Sequence, residues 1–326
     1  MAELERVATQ SRGTPAQEIP VSTSRSQKVS KTWREMRASW QAYALLAPIF
    51  ILLIIFNYYP PILGLLRAFY RWRPGVEATF LGLQHFNTYF NSPETTRELL
   101  NMLKLLLFFL FTGGVVPFVM AELIFRMRSE EAKELYRLFL IIPMLVPMIV
   151  VILLWKQIYD PNLGPINDFL RAVGLDNWAL NWLGDTSTAL YAIMFMGFPW
   201  VSGVGTLIYL GGLGQISESI FDACEVEGCI GLRRTLQIDL PLVLGQVRLM
   251  TILAVINGIT SFQTILVLTD GGPGFATMVP GLTMFHKAFR TQQFGYAAAI
   301  GMLLFILTLA VTLVINRSIH PAVSDQ

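Results

Sequence analysis

The stretch Phe221-Asp222-Ala223-Cys224-Glu225-Val226-Glu227-Gly228-Cys229, continuing to Ile238-Asp239-Leu240-Pro241, is a polar, acidic interruption in a chain otherwise made of greasy segments. A membrane protein keeps such a loop when something outside the bilayer must grip it. On a helix starting near Ser217, Glu218, Asp222 and Glu225 fall at i, i+4 and i+7 and form one acidic face. Ile216, Ile220 and Cys224 line the neighbouring apolar stripe. Gly228 permits the left-handed turn that ends such a helix, Arg233 and Arg234 follow, and Leu240-Pro241 suits the start of the next span. The sequence thus predicts a short amphipathic helix beneath the membrane, a bend, then a membrane helix. The plain account of the acidic face is solvation. Interfacial helices, however, normally carry Lys and Arg toward anionic headgroups, so an acidic one favours a protein partner with a positive groove.

Outward from that loop, composition sets the solvent. With 54% hydrophobic and 14% charged residues, the chain lies far from the roughly one-quarter charged of soluble domains. Six charge-free runs are candidates to cross about 30 Å of hydrocarbon as helix: Ala42–Leu66, Leu105–Ala121, Leu138–Trp155, Thr186–Ser217, Leu249–Thr269 and Thr291–Asn316. The second and third are short, so flanking residues are expected to extend them; the fourth is long enough to include part of a loop. Continuous apolar runs, not alternating segments, exclude a transmembrane β-barrel.

Residues 1–40 form a separate region. Met1–Ser30 is rich in Ser, Thr, Gln and Pro without an apolar period and reads as disordered; Lys31–Trp40 is basic and aromatic, suited to headgroups. The first apolar run starts too late and is too long for a secretory signal. Placing both termini in the cytoplasm puts most of the 24 basic residues inside: those of the tail, of Arg126–Arg137 and Arg233–Arg248, and Arg317. Arg67, Arg71 and Arg73 argue the other way. Cys224 and Cys229 would face a reducing cytosol and are read as small packing residues, not as a disulfide or metal site.

Several chemistries are missing. No Gly-Lys dipeptide occurs, so there is no Walker A loop, and HExxH, GxSxG and GxGxxG are absent too. Lys104 and Glu122 stand at the ends of the second span, where snorkelling accounts for them. A secondary transporter would need ion-coupling residues and often an internal repeat. A membrane-embedded enzyme would need a nucleophile, metal cluster or paired acids. Neither set is apparent.

The acidic loop resembles the EAA loop of ABC-importer permeases, which docks on a cytoplasmic ATPase. Asp222-Ala223-Cys224 stand where Glu-Ala-Ala is usual and Glu227 where Asp is usual, while Gly228, Ile238, Leu240 and Pro241 match outright. Pro48, Tyr59-Pro60, Gly82-Leu83-Gln84-His85-Phe86, Ile142-Pro143, Trp155, Leu183, Leu268-Thr269-Asp270-Gly271-Gly272-Pro273 and Phe294-Gly295-Tyr296-Ala297 are similar to the carbohydrate-uptake branch, the maltose and glycerol-3-phosphate permeases. The resemblance runs from about Trp40 to Arg317. It implies an all-α membrane protein with six transmembrane helices in the type I importer (MetI-like) architecture. Residues 41–318 would be the permease domain, 211–241 its coupling loop and 319–326 a short tail. Asp222, Ala223, Cys224, Glu225, Glu227, Gly228, Leu240 and Pro241 would couple to the ATPase.

The fifth run adds Asn257, Thr260, Ser261 and Thr264 at i, i+3, i+4 and i+7, a polar stripe on an apolar helix, with Gln263 beside it. Gly258 can loosen this helix. Uncharged amides and hydroxyls suit a sugar, since both donate and accept; hydrogen bonding to neighbouring helices is the competing use. In the maltose-type permease the positions of Thr260 and Ser261 lie where sugar is touched. Phe262 could stack on a sugar ring or fill core, Trp155 and Trp200 could line the path or sit in the interfacial belt, and Asp270–Gly274 is a turn cluster at the outer end.

The expectation is a non-catalytic permease of a binding-protein-dependent importer in a bacterial or archaeal cytoplasmic membrane, carrying a sugar or oligosaccharide. A non-sugar solute such as glycerol phosphate, or secondary transport, is the alternative. The resemblance implies a second permease, an ATPase dimer that uses ATP and Mg, and an extracytoplasmic solute-binding protein, with lipid around the chain. No cofactor, metal or nucleic acid is expected on this chain.

Overall fold

The computed structural model describes residues 39–319, so the expected N-terminal tail lies almost wholly outside the described residues, as does 320–326 of the C-terminal one. The chain divides into a compact unit ending at Pro61 and another from Ile62 onward. In the first, α1 (Trp40–Leu53) runs into a π-helical stretch, Ile54–Tyr58, and their large apolar side chains are mostly exposed. Helix α2 spans Tyr59–Arg67.

After α2 come the strands β1 (Tyr70–Arg71) and β2 (Thr79–Phe80), an antiparallel pair with Tyr70 opposite Phe80, and α3 (Gln84–Phe90). Helix α4 (Thr95–Leu110) passes through a π-helical turn, Phe111–Val115, into α5 (Val116–Phe125). Next are α6 (Glu130–Ile141), α7 (Met148–Ile158), α8 (Pro165–Ala172), α9 (Ala189–Phe195) and α10 (Gly203–Leu213). The loop region holds α11 (Glu218–Val226), α12 (Gly231–Arg234), a π-helical turn at Thr235–Asp239, and α13 (Leu240–Leu242). The chain ends with α14 (Leu244–Thr260), α15 (Gln263–Leu268), α16 (Pro280–Phe289) and α17 (Phe294–Ser318).

Among the described residues, four helices are long and apolar enough to cross a bilayer: Tyr43–Arg67, Thr95–Phe125, Leu244–Leu268 and Phe294–Ser318. The second run is extended by its flanks, as its shortness predicts. The third and fourth are not straight rods. Glu130–Leu145 and Met148–Ile158 meet at 86°, because Pro143 and Pro147 remove amide donors and force the preceding residues out of helix. The Thr186–Ser217 run divides at Gly197–Ser202 into α9 and α10, each shorter than a span.

Prolines also explain the π-turns. Each of the three lies just ahead of a proline: Pro60-Pro61, Pro117 and Pro241. A proline ring has no N–H and crowds the carbonyl four residues back, so the ladder widens there instead of breaking.

Three buried clusters hold the second unit together. Leu105, Ile152, Leu190, Ile265 and Leu282 join α4, α7, α9, α15 and α16. Ala121, Tyr209, Leu213 and Met250 join α5, α10 and α14. Met102, Val255 and Ile300 join α4, α14 and α17. Gly258 lets α14 approach α4 closely: a Cβ there would lie 2.6 Å from the Leu106 Cα. It therefore serves tight packing of small residues, not loosening of the helix.

Candidate coupling loop and solute cavity

Helix α11 begins after Ser217, with Glu218 in its first turn, where a carboxylate favours the positive end of the helix dipole. It ends in a Schellman closure. Gly228 has φ +67°, its N–H donates to the Glu225 carbonyl (3.2 Å), and the Cys229 N–H donates to the Cys224 carbonyl (2.8 Å). A Cβ at Gly228 would meet nothing within 4 Å, so conformation, not space, requires glycine. Cys224 and Cys229 are free and buried, and form the apolar contact beneath this closure. Burial, with Cys229 adjacent, pushes the Cys224 thiol above its ordinary value. Glu218, Asp222, Ala223, Glu225 and Glu227 are all exposed, and Val226 is 89% exposed beside them. Pro241 lies in α13, one turn before α14 starts, so the next span begins after Val243.

What holds this loop in place was not legible as a unit. Arg126, at the end of α5, donates Nε to Glu122 Oε2 (2.9 Å), Nη2 to Asp239 Oδ2 (3.2 Å) and to the Thr235 hydroxyl, and Nη1 to the Gly231 carbonyl (3.2 Å). Arg234 Nε reaches Asp239 from the other side at 3.2 Å, and its guanidinium lies 4.1 Å from the centroid of the Phe221 ring on α11. Phe221 in turn meets Phe125, 5.7 Å between ring centroids. Asp239 is 0% exposed while Arg126 and Arg234 keep 31% and 21% of their side chains in contact with the surroundings, so losing both partners would strand a buried carboxylate. Glu122, expected to snorkel, is instead buried within this cluster, and its Oε1 has no hydrogen-bond partner. The available signal was the i, i+4 spacing of Glu122 and Arg126. Lys104 lies 5.7 Å from the centroid of the Tyr191 ring.

The polar residues of the fifth run do not form one helical stripe. The helix stops at Thr260, Ser261 is extended (ψ 118°), and α15 restarts at Gln263. Beside this break lies a cavity of about 490 Å³ lined in part by Asn257, Ser261 and Thr264. Thr112 of the π-turn, Ser202 and Trp200 complete its polar and aromatic wall. No charged side chain is among its lining residues. Broken backbone at this depth is tolerated where it borders a cavity. Thr260 and Gln263 are exposed and outside the lining; the Thr260 hydroxyl donates to the Ile256 carbonyl (2.7 Å). Phe262 stacks near Phe285, 5.6 Å between centroids, and belongs to the core.

Trp200 borders the cavity with φ +58°, a costly conformation for a bulky residue. Its indole N–H donates to the Met194 carbonyl (3.0 Å), and its ring stands edge-on to Phe108 and Phe198 at 5.6 and 5.0 Å. Trp155 sits apart from the lining, against Tyr159 at 5.3 Å. Phe108, Thr112 and Ser202 were missed from sequence, because they come from runs with no polar period of their own.

The Asp270 turn is more than a chain reversal. Asp270 has φ +53° and accepts from His286 Nε2 (2.9 Å) and Arg290 Nη2 (2.7 Å). Burial works to raise its carboxyl, but these two bonds and charges outweigh that and hold it below the usual aspartate range. The segment after it is tied to α4, since Asn101 Nδ2 donates to the Ala276 and Met278 carbonyls at 3.0 and 2.9 Å. Two motifs set far apart in sequence also meet: the Gly295 N–H donates to the Trp72 carbonyl (3.2 Å), and His85 stands edge-on to Tyr296 at 5.6 Å.

Residues 113–325 match the family described as "Binding-protein-dependent transport system inner membrane component". The chain belongs to that family: it is an ABC-importer permease, and ATP hydrolysis is the work of a separate partner. It is 29% identical over 281 residues to the probable ABC transporter permease YurN of Bacillus subtilis, covering 83% of this chain and 93% of that one. It is 31% identical over 195 residues to the diacetylchitobiose uptake permease NgcF of Streptomyces coelicolor, covering 58% and 55%. In fold it is similar to a chain of a bacterial ABC transporter involved in import of the acidic polysaccharide alginate, with TM-score 0.77, 22% identity, and 88% and 97% of the two chains covered. Among the described residues no cluster of His, Cys, Asp and Glu could hold a metal.

Proposed function

We propose that this permease carries a neutral sugar or oligosaccharide through six membrane crossings, with both termini in the cytoplasm. The two short helices α9 and α10 make one crossing in this reading, and the bent pair α6–α7 another. The exposed face of α11, with Asp222, Ala223, Glu225 and Glu227, is the socket for the ATPase; Cys224 and Gly228 shape it, and Leu240-Pro241 joins it to the next span. Asn257, Ser261 and Thr264 meet the cargo, while Thr260 and Gln263 lie on surface that a second permease would cover. A solute-binding protein delivers the cargo from outside.

The observation that carries the sugar reading is the cavity wall: four hydroxyls, an amide and an indole set among apolar and aromatic side chains such as Phe108, Phe109 and Met148, without a charge. Neutral hydroxyl-rich cargo matches such groups, and a phosphate ester would be left without a counter-charge. The size, about 490 Å³, falls in the range of roughly 300–1,000 Å³ of small-molecule sites. The cargoes named for NgcF and for the alginate transporter are both saccharides, the second an acidic one, so they support a saccharide cargo and leave its neutrality to rest on the cavity wall. Vesicles holding the complex purified through a tag on this chain should accumulate one of a panel of labelled neutral saccharides, and only with ATP inside the motor's compartment. Preferential accumulation of sugar phosphates or amino acids would overturn the cargo assignment.

A further inference from the structure

The ion cluster beneath the membrane and the wall of the solute cavity belong to one helix. Thr95–Phe125 carries Thr112 on the cavity, in its π-turn, and ends at Arg126, about 20 Å further along the axis. Arg126 grips the loop at Gly231, Thr235 and Asp239. Arg234 grips Asp239 from the loop side and lies on Phe221 of α11. An unbroken line of contacts therefore runs from α11 through Phe221, Arg234, Asp239 and Arg126 to the helix that forms the cavity wall.

We propose that the Arg126–Asp239–Arg234 cluster is a clasp that passes movement of α11 to the second span and so to Thr112 in the cavity. These are positioning residues, since none borders the cavity. The physical grounds are three. Asp239 is fully buried and bonded by two guanidiniums, which cannot part without leaving a charge unpaired. Arg126 is held by four acceptors on three elements, so it is not a free surface arginine. The π-turn at Phe111–Val115 is a point where helices yield, and it lies at the cavity.

This inference rests on the reading of α11 as the ATPase socket. In the full complex purified through a tag on this chain, Thr112→Cys is alkylated with N-ethylmaleimide and quantified on its own peptide. With the cluster intact, ATP plus vanadate should change the alkylation rate at least fivefold. Added Asp239→Asn or Phe221→Leu should cut that response below twofold while the ATPase still co-purifies. Phe221→Leu keeps every charge, so it decides alone if Asp239→Asn does not assemble. A nucleotide response that persists in the Phe221→Leu complex, or none at position 112 with the cluster intact, overturns the clasp. Absence of any ATPase in the purified unsubstituted complex would instead remove the socket reading, and the clasp with it.

Discussion

The helix Thr95–Phe125 meets two regions built on opposite principles. At its Arg126 end, charge is concentrated: the buried carboxylates of Glu122 and Asp239 are held by Arg126 and Arg234, whose side chains stay 31% and 21% exposed. At Thr112, polarity is present without charge, beside a helix that has been broken to expose it. Buried carboxylates gripped by two guanidiniums resist separation, which suits transmitting force. Hydroxyls and one amide spaced along an otherwise apolar wall can exchange partners at small cost, which suits letting cargo pass. The difference separates parts whose substitution should break coupling from parts whose substitution should alter only transport.

The sharpest break of that comparison is Gly228→Pro. Proline fixes φ near −65° and has no N–H, whereas Gly228 needs φ +67° and donates to Glu225. Uptake is expected to fall at least ~30-fold, with membrane insertion unchanged on fractionation. Next, Asn257→Leu with Ser261→Leu should lower uptake about tenfold and leave ATPase co-purification intact; equal loss of both would move these residues from the path to the scaffold. Smaller in effect, Gly258→Val places side-chain atoms against the Leu106 backbone and should destabilise the complex by roughly 1–3 kcal/mol, read as a lower melting temperature in detergent.

The smallest effect expected lies at the Asp270 turn. Asp270 has a lowered carboxyl pKa, so its contribution is complete above the usual aspartate range and is lost as pH falls through its lowered value. The groups facing it are His286 and Arg290. Asp270→Asn should therefore melt below the unsubstituted protein near neutral pH, and the gap should close in acid. A gap that is constant with pH would assign the residue's role to its backbone conformation alone.

Much of this was legible because local chemistry fixes it. The acidic face of α11 follows from helical spacing, and its end follows from one glycine. The apolar runs locate the helices, since hydrocarbon leaves no other solution for a long uncharged stretch. The breaks were less visible. Pro143 and Pro147 stand openly in the third run, but whether prolines kink, widen or divide a helix depends on what packs beside them. At Pro117 the ladder widens; at Pro147 it turns. The polar stripe around Ser261 had helical spacing and still broke, so Thr260 and Gln263 left the face shared by Asn257 and Thr264. The clasp joins residues more than a hundred positions apart, and one chain without relatives aligned to it carries no signal that Arg126 and Asp239 meet.

The most direct test of the account is a photocrosslink from α11. Asp222→Cys carrying a benzophenone, irradiated in native membranes, should yield a product containing a nucleotide hydrolase, reduced when ATP and vanadate shift the motor. A crosslink that captures only lipid, with the complex otherwise active in uptake, would contradict it.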